Sequence, residues 1–209
     1  MLSIIRLDIL FETISLVISF AIALAAFAGS RKTGSRSLTL LSIGFFLMAG
    51  AMLLRVVLTS WALTVPLSRH MPWRIFPLII LQTQELVYSV ARVGAYAVFL
   101  HLYSSYSLSR SQQSTALVAI TTSLIYNPFF EAVSAVLLAI VVYQLFKAKG
   151  PGESSFVIYG FILLLVSHLL FLALPVWLTF YFVAQFLQLV ALTLFLTAVL
   201  SVFFDGKRL

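Results

Sequence analysis

Stretches of about 20 apolar residues recur along this chain, separated by short polar breaks, and no other feature limits its fold as much. A run of that length is what an α-helix needs to cross the roughly 30 Å hydrocarbon core of a bilayer. In lipid every backbone N–H and C=O must be satisfied internally, which leaves helices or closed barrels, and continuous apolar runs of this length fit helices. Composition agrees: of 209 residues, 62% are hydrophobic and 9% charged, against about a quarter charged in soluble domains. There is no cysteine, hence no disulfide framework, thiolate chemistry or iron–sulfur cluster. The first apolar run, residues 8–29, is too long for the core of a signal peptide and no clear cleavage site follows it, so it is expected to stay as a span. Asn occurs once, at Asn127, and few thermolabile residues would suit a thermophile.

The pattern predicts an all-α integral membrane protein with helices over about 8–29, 38–61, 75–103, 112–126, 128–146, 156–174 and 178–203. Between them lie the basic segment Arg31 to Arg36, a loop over 62–74 with Pro66, Arg69, His70, Pro72 and Arg74, and the break Gly150-Pro151-Gly152-Glu153. Trp61 and Trp73 flank the 62–74 loop as interfacial anchors. The fourth helix is the short one, about 22 Å at 1.5 Å per residue.

Two entrances match. Phe11-Glu12 is followed by Ser15 and Phe130-Glu131 by Ser134, each at the head of a long apolar run. A shift of 119 aligns these, a shift of 116 aligns Gly44-Phe45 with Gly160-Phe161, and a shift of 100 aligns Val90-Ala91 with Val190-Ala191. The expectation is a single polytopic domain, 1–209, made of two three-helix repeats, 8–103 and 128–204, joined by a linker helix at 112–126. This 3+1+3 layout resembles the SWEET sugar transporters in architecture, and more distantly the microbial rhodopsins. The Pro-Gln pair of the former is absent, and no Lys lies in the seventh helix to carry a retinal. The resemblance therefore transfers no function.

Charge sets the orientation. If 112–126 spans, Arg31, Lys32, Arg36, Arg110, Lys147, Lys149, Lys207 and Arg208 share one side, against Arg6, Arg69 and Arg74 on the other. If it does not, the bias weakens. The positive-inside rule thus predicts seven spans in the plasma membrane, with the N-terminus outside and the C-terminus in the cytoplasm. The net charge of +7 reflects these loops and their contact with anionic lipid rather than nucleic acid.

Six ionisable groups fall inside spans: Glu12, Arg55, Glu85, Arg92, Glu131 and His168. Each costs at least about 2.5–3.5 kcal/mol at the bilayer centre, so they should face protein or water and pair. Helical depth brings Glu12, Arg55 and Glu85 together in the outer half, with Arg55 paired to Glu12 or Glu85. Glu131 and His168 form a similar pair in the second repeat, and Gln185 and Gln188, one turn apart, face one interior. These eight are the candidate ligand- or ion-binding cluster. No catalytic residue or resident metal is assigned and no cofactor is expected, since there is no Gly-rich phosphate loop and no GxSxG elbow. Glu131, His168 and Glu85 could supply three zinc ligands, but without HExxH spacing. The function expected is a non-enzymatic module that binds a small ligand or ion between the repeats, as transporter or receptor. The alternatives are a structural or accessory subunit of a larger membrane complex and, third, an intramembrane metal-dependent enzyme. Expected partners are lipid, a small solute or ion, and further copies or other membrane subunits.

Overall fold

The computed structural model describes residues 2–64, 75–104, 128–148, 155–173 and 179–205. They form six helices: α1 (Leu2–Thr33), α2 (Arg36–Thr64), α3 (Ile75–Ser104), α4 (Pro128–Ala148), α5 (Ser155–Leu172) and α6 (Thr179–Asp205). All six are long and apolar enough to cross a membrane, and the chain is an all-α multi-pass membrane protein. The helix expected over 112–126 lies outside the described residues, as do Arg69, His70, Pro72, Trp73 and Arg74.

The basic segment 31–36 is not the loop that its composition predicts. α1 continues through Thr33 and α2 begins at Arg36. Arg31 and Lys32 close α1, where cations favour the negative end of the helix dipole. Gly34 adopts φ of 65°, a left-handed conformation that glycine enters without penalty. Its N–H returns to the Ser30 carbonyl at 2.8 Å. Ser35 then caps α2, its Oγ accepting the Leu38 N–H at 3.5 Å. Pro128 opens α4, where its missing N–H costs nothing, and Glu131 lies in that first turn.

Each helix packs against its neighbours in chain order, and α6 returns to α1, closing a ring. Contacts fix the directions. Early α1 meets late α2 through Glu12 and Arg55, and late α1 meets early α2 where Ser42 Oγ donates to Ala23 O at 2.9 Å. α2 and α3 are likewise antiparallel through Arg55–Glu85 and Phe45–Phe99. So are α5 and α6 through Phe171–Tyr181 and Phe161–Phe195. Across the ring, α3 runs opposite to α5: Tyr96 bonds His168, and Tyr103 meets Phe161. α4 also runs opposite to α5, since Glu131 at its start reaches His168 near the end of α5. α3 and α4 therefore run the same way.

The molecule is inside-out relative to a soluble protein. Leu10, Val17, Leu24, Val136, Phe146 and Phe186 face outward, while Glu12, Arg92, His168, Gln185 and Gln188 are buried. Lipid accepts the first set and excludes the second. The interior is layered. At one level Phe45, Phe99, Phe161 and Phe195 form a closed square, with successive ring centroids 5.1, 5.6, 4.7 and 5.5 Å apart. None is more than 1% exposed. Gly44 and Gly160 make room for it: a Cβ there would lie 2.3 Å from the Phe99 ring and 2.8 Å from the Phe195 ring, respectively. One turn along sit Met48, Tyr96, Leu164 and Leu192, and a further turn along Met52, Arg92, His168 and Gln188, all buried. That last layer is about 10 Å from the phenylalanines.

Candidate polar site in the bundle

Near the charged layer two ion-pair groups meet. In the first, Arg55 on α2 pairs with Glu12 on α1 and, Nε to Oε2 at 3.2 Å, with Glu85 on α3. The guanidinium is always charged, and two carboxylates from neighbouring helices hold it. In the second, Arg92 on α3 pairs with Glu131 on α4. The Glu131 Oε2 also lies 2.5 Å from His168 Nδ1 on α5, and His168 Nε2 lies 2.8 Å from the Tyr96 hydroxyl back on α3.

That closed circuit assigns the histidine tautomer. Tyr96 and His168 are both fully buried. If Nδ1–H donates to Glu131 and Tyr96 O–H donates to Nε2, every hydrogen has an acceptor. A doubly protonated ring would donate to Tyr96 and strand the hydroxyl hydrogen in the core. The neutral imidazole is the arrangement consistent with full pairing.

Tyr88 joins the two groups. Its ring centroid lies 4.9 Å from the Arg55 guanidinium carbon and 5.2 Å from that of Arg92, so both cations sit over its π system. Beside it is a cavity of about 50 Å³, enough for a few water-sized groups. Arg55, Glu85, Tyr88 and Arg92 line it from α2 and α3, and Glu131 from α4. Phe171, Tyr181, Gln185 and Gln188 line it from α5 and α6. Gln185 Nε2 donates to the Tyr181 hydroxyl at 3.3 Å. Gln84, just outside, ties α3 to α2 by donating to Thr59 Oγ1 at 3.0 Å.

The residues singled out from sequence thus fall in one region. Arg55, Glu85, Arg92, Glu131, Gln185 and Gln188 line the cavity directly; Glu12 reaches it through Arg55, and His168 through Glu131. The Arg55 pairing holds with both expected carboxylates rather than one. The partner of Arg92 is not readable from spacing, because it lies on another helix 39 residues further along the chain. The sequence reading misses Tyr88, Tyr96, Phe171 and Tyr181. Tyr88, Arg92 and Tyr96 recur at four-residue spacing on α3, the same-face periodicity of a helix, and that signal is present in the sequence. His101 is exposed at the far end of α3. No group of three or more His, Asp or Glu side chains among the described residues is arranged to hold a metal ion, so the suggested zinc triad of Glu131, His168 and Glu85 does not form; Glu131 and His168 are committed to each other.

Fold and site together define a class, the polytopic helical membrane proteins with a buried polar centre. Beyond that class, the chain matches no protein-family model, no curated protein and no solved structure.

Proposed function

We propose that this protein is a single-domain, seven-span module whose two three-helix halves take up a small polar ligand or ion between them, as a transporter or receptor. The observation that carries this reading is the cavity: it lies between α2–α3 and α5–α6 and is lined by polar side chains in an otherwise apolar bundle. Structural ion pairs alone need no empty space beside them, since an interior closes over pairs that only hold helices together.

Several features support two halves related by a twofold axis along the membrane normal. Glu12 and Glu131 each bond a residue late in the following helix, and Ser15 and Ser134 are both buried one turn on. Gly44 lies against Phe99 as Gly160 lies against Phe195. The spatial counterpart of Phe99 is then Phe195, a shift of 96 rather than the 100 suggested by sequence. Under these shifts Arg55 corresponds to Phe171, Glu85 to Tyr181 and Arg92 to Gln188, so the cavity would sit on the axis. The parallel course of α3 and α4 supports the seventh span, because a chain leaving α3 at one face must return to the other to enter α4. With seven spans, the charge count favours an outside N-terminus and a cytoplasmic C-terminus.

The test exploits the absence of cysteine. A single Gln188→Cys in membrane vesicles should react with silver ion added from one side, whereas Phe99→Cys in the sealed layer should not. If the Gln188→Cys thiol fails to react from either side, the reading is overturned. Solute flux in liposomes then separates transporter from receptor.

A further inference from the structure

Resting on that reading, we propose that the cavity is a site for a small monovalent cation, held at Glu85 with Gln188 and Tyr181 as neutral oxygen ligands. The charge count points there. Among the described residues, Glu12, Glu85 and Glu131 face Arg55 and Arg92, and the paired tautomer of His168 adds no charge. Three carboxylates against two guanidiniums leave one negative charge in a bundle whose outer surface is apolar, and buried charge is balanced or costly.

The surplus has a location. Glu12 and Glu85 share Arg55, and of the three carboxylates Glu85 is the most open, 31% exposed against 5% for Glu12 and 15% for Glu131. It also lines the cavity. The groups facing it are Arg55 on α2, Tyr88 and Arg92 on its own helix, Glu131 on α4 and Tyr181 on α6.

A second observation is independent of charge. Gln188 lines the cavity and is 6% exposed, yet its amide makes no hydrogen bond among the described residues. An amide lining the same cavity as a carboxylate offers a neutral oxygen beside a charged one, the oxygen donors that hard cations take. The Arg92 Nε–H, buried without an acceptor, finds one in a water carried in with the cation. About 50 Å³ accommodates such an ion with one or two waters and excludes an organic cation the size of choline.

Thermal unfolding of the purified full-length chain in detergent tests this. It is run in lithium, sodium, potassium and choline chloride and in sodium and potassium gluconate, all at equal ionic strength. One of the small cations should raise Tm by about 5 °C over choline, with either anion. Glu85→Gln should abolish that rise and, having lost the surplus charge, should unfold above the wild type in choline. Gln188→Leu should raise the cation concentration at half-maximal shift about tenfold. It also serves if Glu85→Gln does not fold. A response that follows the anion overturns the cation while leaving a small-ligand cavity standing. An unchanged response in both variants puts the cation elsewhere and overturns the site. Equal Tm in all salts overturns the inference alone, because silver access to the thiol of Gln188→Cys judges the cavity separately.

Discussion

At the residue scale, Glu131 ties three helices together. One carboxylate holds Arg92 from α3 and His168 from α5, and it sits in the first turn of α4, where orphan backbone N–H groups already favour a negative charge. The circuit ends on Tyr96, which makes that hydroxyl a direct probe. Tyr96→Phe leaves Nε2 of His168 without a donor in a fully buried position, which typically costs about 1–3 kcal/mol. Tm in detergent, followed by circular dichroism, should fall by several degrees. An unchanged Tm would mean that the imidazole does not depend on Tyr96. Arg92→Met should cost more, about 3–5 kcal/mol, because it strands a carboxylate. Combining it with Glu131→Gln should recover part of that loss.

At the element scale, the helices are placed by side-chain volume as much as by charge. The phenylalanine square can form only because α2 and α5 each present a glycine to a ring on the next helix. At Gly44 the added Cβ of alanine would lie 2.3 Å from the Phe99 ring, and at Gly160 2.8 Å from that of Phe195. Both rings are locked in the square, so neither can swing away, and overpacking of this kind typically costs about 1–3 kcal/mol. Gly44→Ala should be the more damaging of the two. Gly50, on the same helix as Gly44, has nothing within 4 Å of a new Cβ. There alanine should stabilise by about 0.5–1 kcal/mol through helix propensity alone. Thermal melts of the three variants give the order Gly50→Ala, wild type, Gly160→Ala, Gly44→Ala; a destabilised Gly50→Ala or a neutral Gly44→Ala would contradict the packing.

At the scale of the whole molecule, the count of crossings decides whether the two halves are parallel. Ser35 and Lys147 provide the test, since cysteine at each is a unique thiol. With seven spans both lie on the cytoplasmic face, and an impermeant reagent applied to right-side-out vesicles should spare them while labelling cysteine at Arg69. Labelling at Lys147 without labelling at Ser35 would mean six crossings. The sequence alone determined that the chain is helical and membrane-embedded, roughly where each described helix lies, and which charges must be buried. These follow from backbone hydrogen bonding and the cost of charge in lipid, which act on each segment independently of its neighbours. It also placed Arg55 with Glu12 and Glu85, because those residues come from consecutive helices whose short connections bring them to one depth. Only the tertiary structure decided that Arg92 reaches across to Glu131, that Tyr96 closes the circuit through His168, and that two glycines and four phenylalanines set the central layer. Those pairings join α2, α3, α4, α5 and α6 across the closed ring. Which faces meet there depends on how the helices rotate and seat against one another, and an apolar pattern with little difference between its faces carries no record of that rotation.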